Sequence, residues 1–141
     1  MTFYLDTSAI VPLFVPEPAS AEITALLGGS PKPLIVTEFA AGEFAAALSR
    51  LVRTNRLSEH TARASLVDFD SWRIAYCLSP VLDAIDIRAA AAFVRRFDLK
   101  LLLPDAVHAA MSQRLGATLI IFDRRLADAA TALGIAARVI A

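Results

Sequence analysis

The sequence has a single cysteine, Cys77, so no disulfide can form within the chain. That points to a reduced, cytoplasmic setting. Neither charge is in excess: 14 basic residues face 14 acidic ones over 141 residues, a net charge of zero. No broad basic face therefore advertises a nucleic-acid binder. No apolar run approaches the ~20 residues that cross a bilayer. The first residues lack the basic start and apolar stretch of a signal peptide. No repeat, linker or low-complexity segment breaks the chain, and no Cys/His spacing suits zinc. What is abundant is apolar: 57% of the residues are hydrophobic, many of them alanine. That composition argues against disorder and supplies both a core and helix-building positions. The expectation is one domain spanning residues 1–141.

Short β-like runs alternate with helical ones, the pattern of an α/β fold with a parallel sheet. The first strand is expected over Thr2 to Leu5, followed by a short helical turn after Asp6. A helix from Ala19 to Leu27 starts behind Pro16 and Pro18 and stops at Gly28-Gly29. Leu34-Ile35-Val36 has the continuous apolarity of a strand buried on both faces. Thr37 can cap the next helix, which carries Phe44, Leu48 and Leu51 on one stripe to about Thr54. Ser58 caps another helix, with Leu66, Phe69 and Tyr76, and the short connection predicts an antiparallel helical hairpin. Pro80 to Leu82 reads as a minor strand. Asp86 can cap a helix reaching about Phe97, and Pro104 starts one that ends before Gly116. Thr118 to Phe122 is the clearest strand. A helix closed by Gly134 follows Asp123, and Val139-Ile140 can form an edge strand.

Four acids stand out by position. Asp6 ends the first strand and Asp123 ends the strand LIIF. Asp105 opens a helix in LLLPDAVHAAM, and Glu43 lies about a turn into the helix after the second strand. Open parallel sheets bind ligands outside the carboxyl ends of their strands, so all four are expected at one edge. Clustered carboxylates repel by roughly several kcal/mol in a low-dielectric cleft unless protons or cations offset them. Oxygen ligands of this kind suit Mg²⁺ or Mn²⁺, and such a centre can activate water against a phosphodiester. Taken singly, each acid has a plainer reading. Asp6, Asp105 and Asp123 suit helix caps, and Glu43 suits a solvated helix face. The case rests on the four together.

Thr7 and Ser8 can hydrogen-bond Asp6 or a water at the metal, or cap the helix that follows. His108 falls on the same helix face as Asp105 and can orient a carboxylate or touch a phosphate; a local structural role is the alternative. Arg50 lies about two turns beyond Glu43, and Arg124 and Arg125 follow Asp123. These suit a phosphate backbone or simply a solvated surface. Setting the four acids aside leaves 10 acids against 14 basic residues, so neutrality is compatible with local contacts to a polyanion.

These pieces together resemble the PIN-domain ribonucleases, and more closely the VapC-type toxins of type II toxin–antitoxin pairs. The resemblance spans nearly the whole chain: FYLDTSAIVPLFVPEP, TEFAAGEFAAALSRL, LLLPDAVHAAMSQRLGATLIIFDRRLADAA and LGI, in that order. It implies a three-layer α/β/α sandwich with a central parallel sheet, cutting RNA with Mg²⁺ or Mn²⁺ to leave a 3′-hydroxyl and a 5′-phosphate. Residue by residue it implies Asp6, Asp105 and Asp123 as metal ligands and Glu43 as ligand or water-orienting base. Glu38 competes with Glu43 for the helical position but has the plainer capping role. The resemblance also implies a homodimer formed through the helical hairpin, whose aromatic residues include Phe69, Trp72 and Tyr76, and a cognate antitoxin bound there. The same fold could serve as an RNA- or protein-binding module without turnover. A haloacid-dehalogenase-like phosphohydrolase also begins with an Asp after the first strand, but it wants a second Asp where this chain has Ser8. A receiver domain wants its acid on a middle strand.

Overall fold

The computed structural model describes residues 2–31 and 33–140. Among them, five strands form one wholly parallel sheet, and seven helices cover its two faces. The strands are β1 (Phe3–Leu5), β2 (Leu34–Ile35), β3 (Cys77–Leu78), β4 (Thr118–Ile121) and β5 (Ala137–Val139), in the spatial order β3-β2-β1-β4-β5. The helices are α1 (Thr7–Phe14), α2 (Ser20–Gly28), α3 (Glu38–Arg53), α4 (Glu59–Tyr76), α5 (Ala84–Val94), α6 (Leu103–Arg114) and α7 (Arg124–Ala132).

The alternation of side chains along each strand sorts the core into two layers. Phe3, Leu5, Leu34 and Ile120 face α1 to α4, with Ile10, Ile23, Phe44, Leu48 and Phe69. Tyr4, Ile35, Leu119 and Ile121 face α5 to α7, with Ala90, Val107, Met111 and Leu126. This is the expected three-layer α/β/α sandwich, and burial on both faces explains why the strands read as continuous apolar runs. Phe44, Leu48 and the partly buried Leu51 follow the predicted stripe on α3. The hairpin of α3 and α4 is antiparallel: Arg73, near the end of α4, pairs at 3.2 Å with Glu38 at the start of α3. Gly116 and Gly134, with φ of 64° and 72°, supply the left-handed turns after α6 and α7.

Several local expectations are corrected. The turn after Asp6 is a full helix of eight residues. Pro12 lies inside it and removes one backbone donor, and the helix runs only two residues further. The minor strand is Cys77–Leu78, not Pro80 to Leu82. Pairing with Leu34 and Ile35 begins as soon as α4 ends, whereas Pro80 has no N–H for a ladder. The cap of α5 is Asp83, whose carboxylate accepts from Ile85 N at 3.1 Å. Asp86 closes the capping box by accepting from Asp83 N at 2.9 Å. That helix stops at Val94, and Phe97 lies in a 3₁₀ turn beyond it, largely exposed. The last strand is Ala137–Val139, ending before Ile140. On α4, Phe69 is buried and Trp72 partly so, but Tyr76 is 53% exposed. Among the described residues no helix is long and apolar enough to cross a membrane.

Candidate active site

The central strands β1 and β4 are neighbours, in register Leu5↔Ile120. Adjacent strands lie about 4.8 Å apart, so the acids that follow them are delivered side by side. Asp6 comes one residue after β1, its backbone N–H donating to Ile120 O at 3.4 Å. Its side chain caps α1: Oδ1 accepts from Ser8 N at 2.8 Å, Ser8 Oγ at 2.5 Å and Ala9 N at 3.3 Å. Nothing among the described residues donates to Oδ2. Asp123 caps α7, its Oδ1 accepting from Arg125 N at 2.9 Å and Leu126 N at 3.4 Å. Both acids therefore do cap helices, and capping occupies one oxygen of each. Cap and ligand are compatible roles for a carboxylate with two oxygens.

Asp105 is the third residue of α6 and has no hydrogen bond or ion pair among the described residues. Its carboxyl is pushed above the ordinary range first by burial, then by the negative charges of Asp6 and Asp123. His108 opposes this and Glu43 adds to it. All the other three acids thus act on this one carboxyl, which places the four in a common field. Asp6 is buried and likewise raised, chiefly by burial, against the opposing pull of Ser8, His108 and the Ala9 N–H. No lysine or arginine among the described residues pairs with any of the four.

Glu43 differs. Burial alone would raise it, but its bonds to His108 and Thr7 outweigh that and hold it below the usual range. Thr7 Oγ1 donates to Glu43 Oε1 at 2.8 Å, and His108 Nε2 meets the same oxygen. Thr7 therefore serves Glu43, while Ser8 serves Asp6 and also accepts from Phe122 N at 3.3 Å. His108, on the face of α6 shared with Asp105, is buried against Phe39 and Tyr4. Glu38 points away, 76% exposed beside Arg73. Arg124 begins α7, exposed, next to Asp123. Arg50 is exposed on α3, about 10 Å along the helix axis from Glu43, and no contact links it to the acids. Sequence reasoning missed Tyr4, whose hydroxyl lies 2.8 Å from His108 Nδ1. The signal was present: a phenol between Phe3 and Leu5 in a doubly buried strand needs an internal partner.

Among the described residues no three His, Cys, Asp or Glu side chains are already drawn in around one point as ligands. The chemistry of the donors nevertheless fits a hard divalent cation: they are all carboxylate oxygens, the charges of the other three raise Asp105, and among the described residues no lysine or arginine neutralises them. With helices α1, α6 and α7 all starting at this edge, their N-termini add favourable dipoles for anionic groups.

The family model of the PIN domain matches residues 3–132, and the chain belongs to that family. Solved structures with the same fold include VapC20 of Mycobacterium tuberculosis, described as a toxin cleaving the sarcin–ricin loop. Its TM-score is 0.73 at 19% identity, covering 94% of this chain and 95% of that one. VapBC2 of Rickettsia felis, bound to a DNA fragment from its promoter, gives 0.69 at 12% identity and covers 98% of both chains. FitAcB of Neisseria gonorrhoeae gives 0.66 at 15% identity, covering 96% and 95%. No curated protein sequence matches the chain.

Proposed function

We propose that this chain is a metal-dependent endoribonuclease acting as the toxin of a toxin–antitoxin pair. The observation that carries the reading is the state of Asp105: a half-buried carboxyl without a partner among the described residues, raised by burial and then by the charges of three other acids. Membership of the PIN family and the fold shared with VapC20, VapBC2 and FitAcB support it.

Asp6, Asp105 and Asp123 would hold Mg²⁺ or Mn²⁺, which when bound supplies a Lewis acid for phosphoryl oxygens and lowers the pKa of water. Glu43, kept ionised by His108 and Thr7, accepts the proton of the attacking water. Attack at phosphorus breaks the bond to the 3′ oxygen, which takes a proton from solvent and leaves as the 3′-hydroxyl, while the phosphate stays on the 5′ oxygen of the next nucleotide. Arg124, beside Asp123, is placed to contact the RNA backbone; Arg50 would do so further along the strand. A bound cation would also relieve the repulsion felt by Asp105.

Labelled RNA incubated with purified protein should be cut in Mg²⁺ or Mn²⁺ and left whole after chelation. Cleavage that survives chelation would overturn the metal reading. RNA retained by the protein but never cut would favour the binding module instead.

The partner reading extends to a second copy and an antitoxin. Ile74 is 85% exposed and Val81 80%, with Tyr76 and Leu78 between them at the end of α4 and on the edge strand β3. Exposed apolar groups on an open strand edge favour a covered state. The isolated protein is expected to elute as a dimer, and Ile74→Asp to shift it to monomer. A wild-type monomer by light scattering would remove the homodimer.

A further inference from the structure

Two buried polar side chains beside the acids are not explained by metal binding. His108 is 1% exposed and Tyr4 is fully buried. Taking an imidazole and a phenol out of water is costly unless both find partners. Here they find each other and then Glu43. The Tyr4 hydroxyl lies 2.8 Å from His108 Nδ1, His108 Nε2 meets Glu43 Oε1, and Thr7 Oγ1 donates to that same oxygen at 2.8 Å.

Chemistry gives these bonds a direction. An ionised carboxylate only accepts, so Nε2 carries the hydrogen. For a neutral imidazole Nδ1 is then the acceptor, and the Tyr4 hydroxyl donates to it. Burial pushes the Tyr4 hydroxyl far above its ordinary value, so it stays a donor. The inner end of the chain of bonds lies in the core, against Thr37 and, at 3.8 Å, Met111 Sδ. A proton arriving there has no route to solvent. Thr37 also caps α3, the helix that carries Glu43, by accepting from Ala40 N at 3.1 Å. The network therefore runs from Glu43 on α3 through His108 on α6 to Tyr4 on β1 and ends in the core. A path with a buried end holds a group in place rather than passing protons to solvent.

We propose that His108, oriented by Tyr4, is a positioning residue that locks the Glu43 carboxylate in one orientation beside Asp6, Asp105 and Asp123, and is neither a ligand nor a proton carrier. The proposal rests on Glu43 acting in the nuclease site proposed above. Its test combines a readout independent of cleavage with one that depends on it. In metal-free wild-type protein, nitrogen NMR of the imidazole should show the Nε2–H tautomer of His108, and Tyr4→Phe should shift the Nδ1 resonance as its hydrogen-bond donor is lost. Under cleavage conditions, Tyr4→Phe and His108→Ala should lower kcat by about 10- to 100-fold, with KM for RNA changed by less than about twofold. His108→Gln, whose side-chain amide can donate in place of Nε2, should recover most of the loss. An Nδ1–H tautomer in the wild type would overturn the proposal. So would a loss confined to KM, or a Gln variant no better than Ala. If His108→Ala fails to fold, the NMR of Tyr4→Phe and the rate of His108→Gln decide. Wild-type protein that does not cut RNA would instead overturn the nuclease reading, and the tautomer measurement would still judge the positioning role.

Discussion

Asp6→Asn should lower RNA cleavage by about 10³-fold while leaving the protein folded and at least as stable as the wild type. The two halves of this result have different origins. Asn keeps a carbonyl oxygen for the bonds that Oδ1 accepts from Ser8 and Ala9, and it is a good N-cap, so α1 retains its start. The carboxylate charge itself is a burden on the metal-free fold. Burial raises the Asp6 pKa above its unfolded value, so the folded state holds its proton more tightly than the unfolded state. Ionisation at neutral pH therefore costs stability, and a neutral amide removes the cost. The activity loss is expected if Asp6 is the metal ligand proposed above: several kcal/mol of transition-state stabilisation correspond to about three decades in rate. Thermal melts supply a companion measurement. Mg²⁺ or Mn²⁺ should raise the melting temperature of the wild type and not that of Asp6→Asn. A variant that cuts RNA as fast as wild type would sink the site assignment.

The second large effect lies away from the site, at Arg114. Its Nε donates to Asp86 Oδ1 at 2.6 Å and its Nη2 to Asp86 Oδ2 at 2.8 Å and Val81 O at 3.1 Å. Asp86 is 1% exposed and Arg114 36%. The arginine holds the carboxyl below its ordinary value, overriding the burial that would raise it. Arg114→Met leaves a buried carboxylate with only the Asp83 N–H, which should cost about 3 kcal/mol. Urea denaturation at neutral pH measures it. The sign of the pH dependence follows from the depressed pKa. Asp86 contributes its full stability above about pH 4, and the contribution fades as the pH falls through the lower folded value. In the variant, only the Asp83 N–H still opposes burial, and the folded state holds the proton more tightly than in the wild type. The gap between wild type and variant should therefore narrow on acidification. An equal gap at pH 7 and pH 4 would show that Arg114 acts through packing rather than charge.

How much of this was readable in the chain depends on the range of the forces involved. The strand TLII is set by local apolarity and the helix after it by Asp123, and both were legible. The stripe of Phe44, Leu48 and Leu51 was legible because helical periodicity repeats it. The two-residue strand at Cys77–Leu78 was not, since its register comes from Leu34 and Ile35 across the sheet. Asp86 was read as a cap because its local setting resembles one, while its ion pair with Arg114, 28 residues away, is invisible to local pattern. The acids at strand ends could be named because parallel topology sends such positions to one edge. The hydroxyl of Tyr4 meets a histidine 104 residues further on, and only the folded chain brings them together. The split between Thr7 and Ser8, one serving Glu43 and the other Asp6, is likewise decided by side-chain direction at the start of a helix.

The order of the strands has a bearing on how such a protein comes into being. β1 is made first and sits in the middle of the sheet, but the neighbour that brings Asp123 alongside Asp6 is not translated until residue 118. A chain still emerging from the ribosome carries the first acid without its opposite number. Whatever chemistry this edge of the sheet supports, a nascent chain that stops short of β4 cannot perform it.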